Sequence, residues 1–264
     1  DWFPPILPTE PVMNSIDRVA NAAGLLLDAR ATRTRLASLP AQATPQSVDE
    51  AYAIQDAIVA ATGPIAAWKV GAKSPRDEPQ CAPICAAWVH RSPARFATGS
   101  FALNGIEAEL AFTLARDLPP RDARYTTDEI AASIASVHPV IEVVESRFVD
   151  FNGVDALSRL ADFVSHGALV VGPAITVPEA FDVQQQAVEL DIDGAATLCD
   201  RGSNPAGDPF RLVAWLANHA AARCGGLTEG MIVTTGSWTG LAIAPQGASV
   251  RARFPGIGEA RIGG

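Results

Sequence analysis

Long apolar runs are scarce in this chain of 264 residues. The longest nearly uninterrupted one covers the 11 residues from Gly167 to Val177, whereas a membrane-spanning helix needs about 20. The N-terminal segment also lacks the basic region, apolar stretch and cleavage site of a secretory signal. We therefore expect a soluble protein of the cytoplasm that does not engage a membrane.

The chain also has fewer basic than acidic residues and only four cysteines. The 20 basic residues face 29 acidic ones, and the net charge of -9 has the wrong sign for a protein that neutralises nucleic-acid phosphates. The four cysteines contain no C-x-x-C pair, which disfavours a structural zinc site and favours reduced thiols. We therefore do not expect nucleic acid as a partner.

The distribution of prolines and apolar residues divides the chain. Residues 1–12 contain four prolines and are predicted to be an extended or disordered arm. Helical patterns follow over residues 15–39 and again after Ser47, which forms a capping box with Glu50. The rest consists mostly of short β-type runs. We predict an α+β fold with one catalytic domain over residues 13–264, of which 13–64 are a helical lead and 65–264 are strand-rich.

Period-two apolar patterns and turn residues locate the expected strands. They are predicted at residues 66–72, 106–115, 140–147, 168–175, 187–193, 231–237, 250–254 and 259–262. Two further helices are predicted at residues 128–137, after a capping box of Thr126 and Glu129, and at residues 209–223. The Gly256-Ile257-Gly258 segment is predicted to be the turn of a hairpin rather than a dinucleotide-binding loop.

Two carboxylates stand on one face of a predicted strand. In residues 106–114 the even positions are apolar, and the odd positions begin with Glu107 and Glu109. This period is typical of a strand with one buried face, and it places the two side chains about 7 Å apart along the other face. Taken alone, a solvated acidic face is the simpler interpretation.

A third carboxylate changes that interpretation. Glu142 lies in the apolar run 140–144, where a buried carboxylate requires a cation, a hydrogen-bond donor or a proton. An ion held by Glu107 and Glu109 meets this need, and hard oxygen ligands favour Mg²⁺ or Mn²⁺. An anionic substrate then requires a positive charge nearby, for which Lys69 is the candidate; the alternative is an edge-strand lysine that reaches solvent.

Four segments resemble the fumarylacetoacetate hydrolase superfamily, and within it the branch of 2-keto-4-pentenoate hydratases and 4-oxalocrotonate decarboxylases. The segments are Trp68-Lys69-Val70-Gly71, Glu107-Ala108-Glu109-Leu110-Ala111-Phe112, Ile141-Glu142-Val143-Val144-Glu145-Ser146-Arg147 and Thr235-Gly236-Ser237-Trp238-Thr239-Gly240. The resemblance implies a mixed β-sandwich roll with flanking helices, assembled into homo-oligomers. It also implies that Glu107, Glu109 and Glu142 coordinate Mg²⁺ or Mn²⁺ and that Lys69 helps to hold the substrate.

The activity implied is that of a metal-dependent lyase acting on a small 2-oxo acid or its enol. A 2-oxo acid can chelate a metal through its carboxylate and keto oxygens, which favours the enolate, and a hydratase then adds water. On this hypothesis Asp162 or a metal-bound water moves protons, and Ser165 and Ser237 hydrogen-bond the substrate, whose binding site also contains Gly236 and Thr239. The alternatives are a 4-oxalocrotonate-type decarboxylase, an acylpyruvate C–C hydrolase and a non-catalytic metal-binding scaffold.

One segment departs from the pattern of the branch. Where hydratases usually carry Asp-Asn-Ala-Ser-Ser-Gly, this chain has Asp162-Phe163-Val164-Ser165-His166-Gly167. His166 is therefore a candidate to replace a lost hydrogen-bond donor. His138, which precedes Pro139, is interpreted as a structural turn residue at a helix–strand junction.

Overall fold

The computed structural model describes residues 14–177 and 181–263, so the predicted arm over residues 1–12 lies outside the described residues. Its α-helices are α1 (Ser15–Thr32), α2 (Val48–Thr62), α3 (Thr127–Ala131), α4 (Ala156–Ala161) and α5 (Pro209–Cys224). α1 and α2 precede every strand and pack against each other. Over these two ranges, no helix is both long and apolar enough to cross a lipid bilayer.

Side chains cap the helix starts much as the sequence predicts. Ser47 Oγ accepts a hydrogen bond from the Glu50 amide at 3.1 Å, but the Glu50 carboxylate bonds the amide of Gln46 rather than that of Ser47. Thr126 and Glu129 form a complete capping box at the start of α3. Both arrangements satisfy amide groups that the first helical turn leaves without partners.

Two helices are shorter than predicted. α1 ends at Thr32 because Arg33 adopts a left-handed conformation (φ 59°), and Leu36 then pairs with Phe148 as an isolated bridge. α3 ends at Ala131, and residues 134–137, predicted to be helical, belong to a strand instead. Pairing with a neighbouring strand thus overrides the local helical preference of this segment.

Twelve strands are present in the described ranges: β1 (Ile65–Gly71), β2 (Gln80–Cys85), β3 (Val89–Arg91), β4 (Gly105–Leu114), β5 (Ile134–Val144), β6 (His166–Val171), β7 (Ala187–Ile192), β8 (Ala195–Arg201), β9 (Ile232–Ser237), β10 (Ala242–Ile243), β11 (Val250–Phe254) and β12 (Gly258–Ile262). The first sheet has the order β2-β1-β9-β4-β5-β6-β3, with β10 also paired to β4. Only its β1–β9 and β3–β6 pairs are parallel. Each predicted strand corresponds to an observed one, whereas β2, β3, β8, β10 and α4 were not predicted.

A second sheet covers part of the first. Its order is β12-β11-β7-β8, and β11 and β12 form the predicted hairpin around residues 255–257. β11 and β12 lie against β4, β5 and β6, and the ring of Trp238 meets that of Phe254 edge-on with centroids 5.8 Å apart. The mixed α+β roll expected from the sequence is confirmed. The central strands β4 and β5 are consequently buried along most of their length.

The interpretation of His138 as a turn residue is wrong. His138 and Pro139 lie inside β5 and pair with β4. The imidazole is buried, with Nε2 2.8 Å from Thr113 Oγ1 and Nδ1 3.1 Å from the carbonyl oxygen of Gly172. Its role is structural, as expected, but it satisfies polar groups within the sheet.

Candidate active site

The strand register brings the three glutamates together. Glu107 on β4 stands directly opposite Glu142 on β5, and Glu109 lies two residues farther along β4, on the same face. One carboxylate oxygen from each residue can be chosen so that all three lie within 4.8 Å of one another. Glu109 and Glu142 are buried and Glu107 is half-buried. The convergence that the sequence predicts is therefore present in the fold.

Mutual repulsion and burial make these carboxylates difficult to ionise together. Burial, followed by the charge of Glu142, raises the pKa of Glu107 to about 7. Burial and the charges of Glu142 and Glu107 raise the pKa of Glu109 well above its usual value. Thr234 Oγ1 and the Gly236 amide donate hydrogen bonds to Glu109 Oε2, the latter at 3.0 Å, without reversing this shift.

Glu142 is the one member of the cluster that is held ionised. Its burial favours the neutral acid, but the Lys69 ammonium and hydrogen bonds from His166 and Lys69 outweigh burial and lower the pKa. Lys69 Nζ lies 2.5 Å and His166 Nδ1 2.9 Å from the same oxygen, Oε1. The other oxygen, Oε2, is buried and has no hydrogen-bond partner among the described residues.

Lys69 is aimed at the cluster from β1. Burial lowers its pKa, but the charges of Glu142, Glu107 and Glu109 together raise it, so the ammonium is charged at neutral pH. Besides Glu142 Oε1, Nζ donates to the carbonyl oxygen of Val164 at 3.1 Å. An ammonium has three donors, so one remains for a ligand. The edge-strand alternative is wrong, because β1 lies between β2 and β9.

An unusual backbone turn presents the carbonyl of Val164 to Lys69. Phe163, Val164 and Ser165 all have left-handed conformations, with φ of 54°, 50° and 60°. Such conformations are unfavourable for side chains with a Cβ, above all for β-branched valine. This three-residue left-handed turn therefore stores strain beside the ionised groups, a frequent property of functional sites.

A cavity of about 600 Å³ opens onto the cluster. Lys69 and the three glutamates line its inner end. The apolar part of its wall includes Val70 and Val164, and β9 contributes Gly236 and Ser237. The exposed residues Lys73, Asp77 and Glu78 also line it, as does Arg159 of α4. A volume of this order is typical of a small-molecule site.

Of the remaining predicted site residues, Ser237 lies at the cavity, whereas Thr239 and Ser165 do not. Ser237 lines the cavity, and its hydroxyl donates to the Gly240 carbonyl at 3.1 Å. Thr239 does not line the cavity, and its hydroxyl instead accepts from the Ala108 amide at 3.1 Å. Ser165 is also outside the cavity lining, and its buried hydroxyl has no partner among the described side chains and backbone groups.

Asp162 is not brought into the cavity. Its carboxylate accepts hydrogen bonds from the backbone amide of Arg147 at 3.0 Å and from Arg147 Nε, so both oxygens are engaged. The two side chains are almost fully buried, with exposures of 2% and 4%. Arg147 Nη1 also donates to the carbonyl oxygen of His166 at 2.8 Å. Asp162 thus fixes the segment that carries His166 and the left-handed turn.

The family of the chain follows from a sequence match that covers these strands. Residues 59–262 match the fumarylacetoacetate (FAA) hydrolase C-terminal family. The chain belongs to this family. The predicted resemblance is therefore confirmed, and the site described above lies entirely within the matched region.

Individual relatives within the FAA hydrolase family are distant. The chain is 25% identical over 260 residues to the 2-keto-4-pentenoate hydratase of Burkholderia vietnamiensis, a match covering 94% of this chain and 98% of that protein. It is 27% identical over 156 residues to the enzyme of that name from Paraburkholderia xenovorans, but this match spans only 57% of that relative's length and 59% of this chain. Identities of this size leave the reaction open.

The fold also matches that of a solved structure. The 4-oxalocrotonate decarboxylase from Pseudomonas putida G7, whose structure is complexed with magnesium and adipate, superposes with a TM-score of 0.84. The match covers 95% of this chain and 98% of that chain at 21% identity. At that identity the likeness shows the fold alone.

The donor set at the cluster fits a hard divalent cation. Three carboxylates converge, and Oε2 of Glu142 has no hydrogen-bond partner. Within residues 14–177 and 181–263, the Lys69 ammonium is the only charged group that forms an ion pair with them, because the nearby His166 ring is neutral. Mg²⁺ prefers oxygen ligands, and one or two carboxylates with water and substrate oxygens commonly complete its site. The raised pKa values of Glu107 and Glu109 agree with this, because buried carboxylates that repel one another and have little positive charge nearby keep their protons more readily.

The sequence did not single out several residues that shape this FAA hydrolase site. Thr234 bonds Glu109, Arg147 holds Asp162, and Arg159 lines the cavity. Thr234 directly precedes the Thr235–Gly240 motif, and Arg147 closes the Ile141–Arg147 motif, so both carried a local signal. Arg159 had no such local signal in the sequence, because it lies in helix α4, which was not predicted.

The position of Asp162 predicts a stability effect larger than any direct effect on catalysis. Asp162→Ala leaves the buried Arg147 guanidinium without its counter-ion, which is expected to lower the free energy of unfolding by about 3–5 kcal/mol. Urea denaturation measures this. Asp155→Ala, which removes only the N-cap of α4, is the matched control and is expected to cost about 1 kcal/mol. An Asp162→Ala protein of unchanged stability and lost turnover would instead support the catalytic role.

Proposed function

We propose that this chain is a divalent-metal-dependent lyase that acts on a small 2-oxo acid or its enol, adding water to a substrate such as 2-hydroxypenta-2,4-dienoate. One observation carries the proposal. Three carboxylates with ligand atoms within 4.8 Å of one another stand beside a charged lysine at the inner end of a cavity of about 600 Å³. This pairing of an acidic cluster with an ammonium suits an anionic ligand that also chelates a metal.

Glu107, Glu109 and Glu142 would hold the ion, which we propose to be Mg²⁺ or Mn²⁺. When bound, the ion supplies Lewis-acid polarisation of the 2-oxo group. Glu142 is suited to this task because its Oε1 is committed to Lys69 and His166 while Oε2 is unpartnered. The magnesium in the related decarboxylase structure supports the choice of metal.

The protein's own groups bind and orient the substrate in this proposal. The third N–H of Lys69 donates to the substrate carboxylate. Ser237 Oγ, which lines the same cavity, contributes a further hydrogen bond when its proton turns from the Gly240 carbonyl to the substrate. Val70 and Val164 exclude water from the inner end. Proton exchange at the substrate falls to groups that line the cavity, such as the carboxyl oxygens of Asp77 and Glu78, rather than to Asp162.

A decarboxylase acting on a 4-oxalocrotonate-type substrate is the second candidate. It is supported by the full-length structural likeness to a 4-oxalocrotonate decarboxylase. An acylpyruvate hydrolase is less well supported, because the histidine that bonds the cluster, His166, is fully buried and does not line the cavity, so it cannot activate water there. Burial lowers the pKa of His166 to about 4, so the ring is neutral at pH 7.

A substrate screen tests the proposal. 2-Hydroxypenta-2,4-dienoate and 4-oxalocrotonate are supplied with Mg²⁺, with Mn²⁺ or with EDTA, and loss of the dienoate chromophore, water addition and CO₂ release are measured. We expect metal-dependent consumption of the dienoate with water incorporated. Release of CO₂ without hydration would establish the second candidate, and identical rates with EDTA would contradict both.

We further propose that the enzyme works in the cytoplasm as a homo-oligomer. Large apolar side chains that are exposed on the single chain support the second part of this proposal, since such groups mark contact surfaces where they cluster. Leu241 and Ile243 are 39% and 58% exposed at and beside the short strand β10. A homo-oligomer would cover both side chains.

A further inference from the structure

We propose that His166 is a positioning residue of the metal site: its imidazole donates a hydrogen bond from Nδ1 to Glu142 Oε1 and leaves Oε2 as the carboxylate oxygen for the ion. The inference rests on the proposed function, because it takes Glu107, Glu109 and Glu142 as the metal ligands. It adds a residue that acts through Glu142, since His166 does not line the cavity itself.

Two donors from different strands meet one oxygen of Glu142. Lys69 Nζ of β1 lies 2.5 Å and His166 Nδ1, at the start of β6, lies 2.9 Å from Oε1. Oε2 is buried and has no hydrogen-bond partner among the described residues. Metal-binding side chains are commonly oriented in this way, by hydrogen bonds from residues that do not bind the metal.

The surroundings of His166 identify the tautomer that donates. An ionised carboxylate only accepts hydrogen bonds, so the bond to Glu142 requires a proton on Nδ1. Nε2 is buried and has no partner within residues 14–177 and 181–263, so a second proton there would be a buried donor without an acceptor. The imidazole is thus a neutral donor. It orients Glu142 without adding a positive charge that would repel the cation.

His166 is held in place from several directions. Its carbonyl oxygen accepts hydrogen bonds from Arg30 Nη2 at 2.5 Å and Arg147 Nη1 at 2.8 Å. Its amide donates to the carbonyl oxygen of Phe163 at 3.2 Å. The ring is fully buried, and its centroid lies 6.2 Å from that of Trp88. The imidazole therefore has little freedom to turn away from its acceptor.

Lys69 alone does not give Glu142 the same support. Its ammonium also donates to the Val164 carbonyl at 3.1 Å and, in the proposed function, to the substrate carboxylate. Because a lysine ammonium is a point charge on a flexible stem, its bond to Glu142 changes when a ligand arrives. The bond from His166 involves a side chain outside the cavity lining, so it is available whether the cavity is filled or empty.

The sequence makes this arrangement a particular feature of the chain. His166 stands at the position of the second serine in the Asp-Asn-Ala-Ser-Ser-Gly segment that hydratases of the branch usually carry. The sequence indicated a replacement for a lost hydrogen-bond donor, and the structure supplies the acceptor, Glu142 Oε1. A serine hydroxyl lies closer to its own backbone than an imidazole nitrogen does. We therefore expect a serine at this position to be too short to reach Oε1.

Metal affinity of the substrate-free protein tests the assignment. Calorimetry measures Mg²⁺ binding, and the electron paramagnetic resonance signal of free Mn²⁺ measures Mn²⁺ binding. The proteins are wild type, His166→Asn, His166→Ser, His166→Leu, Lys69→Met and the double variant Lys69→Met/His166→Leu. His138→Leu is the matched control, because it removes a buried, hydrogen-bonded histidine outside the cluster. Melting temperatures check that each variant is folded.

His166→Leu is expected to weaken the binding of both ions about tenfold to a hundredfold, the usual effect of removing a hydrogen bond to a metal ligand. His166→Ser is expected to show a loss of similar size. His166→Asn is expected to retain most of the affinity, because its amide nitrogen is as many bonds from Cα as Nδ1 and also donates. His138→Leu is expected to lower the melting temperature without changing metal affinity.

The contrast with Lys69→Met separates positioning from charge. Lys69→Met removes a positive charge beside the ion and is expected to bind it at least as tightly as wild type does. His166→Leu removes a neutral donor from the same oxygen, and its effect is expected to have the opposite sign. In the Lys69→Met background the loss caused by His166→Leu is expected to be larger, since Oε1 then has neither donor.

The outcomes distinguish failure of this role from failure of the proposed function. If His166→Leu and His166→Ser bind both ions as tightly as wild type, or if His138→Leu loses as much affinity as they do, the role of His166 is overturned and the metal-dependent function stands. Should His166→Leu not fold, equal affinities in His166→Asn and His166→Ser would overturn the role. If wild type binds neither ion, the proposed function fails, and the assignment of His166 fails with it.

Discussion

At pH 8, millimolar Mg²⁺ is expected to raise the melting temperature of the wild-type protein by about 5–10 °C. A ligand at a hundred times its dissociation constant stabilises the folded state by about 2.7 kcal/mol, and each kcal/mol corresponds to roughly 2–4 °C for a chain of this size. Glu109→Gln is expected to remove most of this rise, because it deletes one of three converging carboxylates. Differential scanning fluorimetry measures both proteins.

The sign of the pH dependence follows from the raised pKa values. Without metal, Glu107 in the folded state has a pKa of about 7, above its ordinary value, and that of Glu109 is also raised. A raised carboxyl pKa contributes stability that is fully present below the unfolded pKa and is lost as pH rises through the folded pKa. The metal-free protein is thus expected to lose stability between about pH 4.5 and 7, and the Mg²⁺ effect to grow over the same interval.

Glu109→Gln should also make the metal-free protein more stable than wild type at pH 8, because it removes one of the repelling charges. Glu229→Gln is the matched control, since Glu229 is an exposed glutamate outside the cluster. The control variant is expected to keep the full Mg²⁺ response. An equal response to Mg²⁺ in Glu109→Gln and wild type would show that the ion binds elsewhere.

Lys69→Met is expected to lower kcat/KM by two orders of magnitude or more. Removing one preorganised charged donor that contacts the reacting part of a substrate typically costs about 10²–10³ in rate. The same change removes a positive charge next to Glu142, so affinity for Mg²⁺ is expected to rise or stay constant. Steady-state kinetics and calorimetric Mg²⁺ titration separate the two effects.

The pattern of loss distinguishes a binding role for Lys69 from a merely structural one. Lys69→Arg is not expected to restore activity, since the larger planar group cannot reproduce the two contacts of Nζ with Glu142 and Val164. Lys73→Met is expected to reduce turnover of a monoacid by no more than a few-fold. A Lys69→Met enzyme with both kcat/KM and metal affinity unchanged would contradict the proposed role.

Local periodicity predicted two members of the acidic cluster and only suggested the third. The alternation around Glu107 and Glu109 is a property of β4 alone, and a strand of period two places both side chains on one face whatever surrounds it. The position of Glu142 depends on the register between β4 and β5, which is a tertiary property. The sequence showed that Glu142 needs a partner, and the fold supplies Lys69 and His166.

The example of Asp162 shows that a sequence motif can identify a residue without showing what its side chain contacts. The residue matches a family segment, but its partner Arg147 lies 15 positions earlier in the chain, and the sequence does not show that the two side chains pair. The same limit explains the unpredicted strands. β8 is largely exposed and carries no buried alternation, while β2 is apolar but contains Pro83, which argues against a strand unless it lies at the edge of a sheet.

The left-handed turn of Phe163, Val164 and Ser165 has a consequence for redesign of the cavity. Through its amide and its carbonyl, Val164 is bonded to Arg159 and to Lys69, so an inserted or deleted residue here would displace both groups at once. The position of the Lys69 ammonium relative to α4 is thus fixed by one residue of the turn. A variant for longer or shorter substrates is more readily obtained by altering Lys73, Asp77 or Glu78, which line the cavity without contacting Lys69 or Val164 through a hydrogen bond.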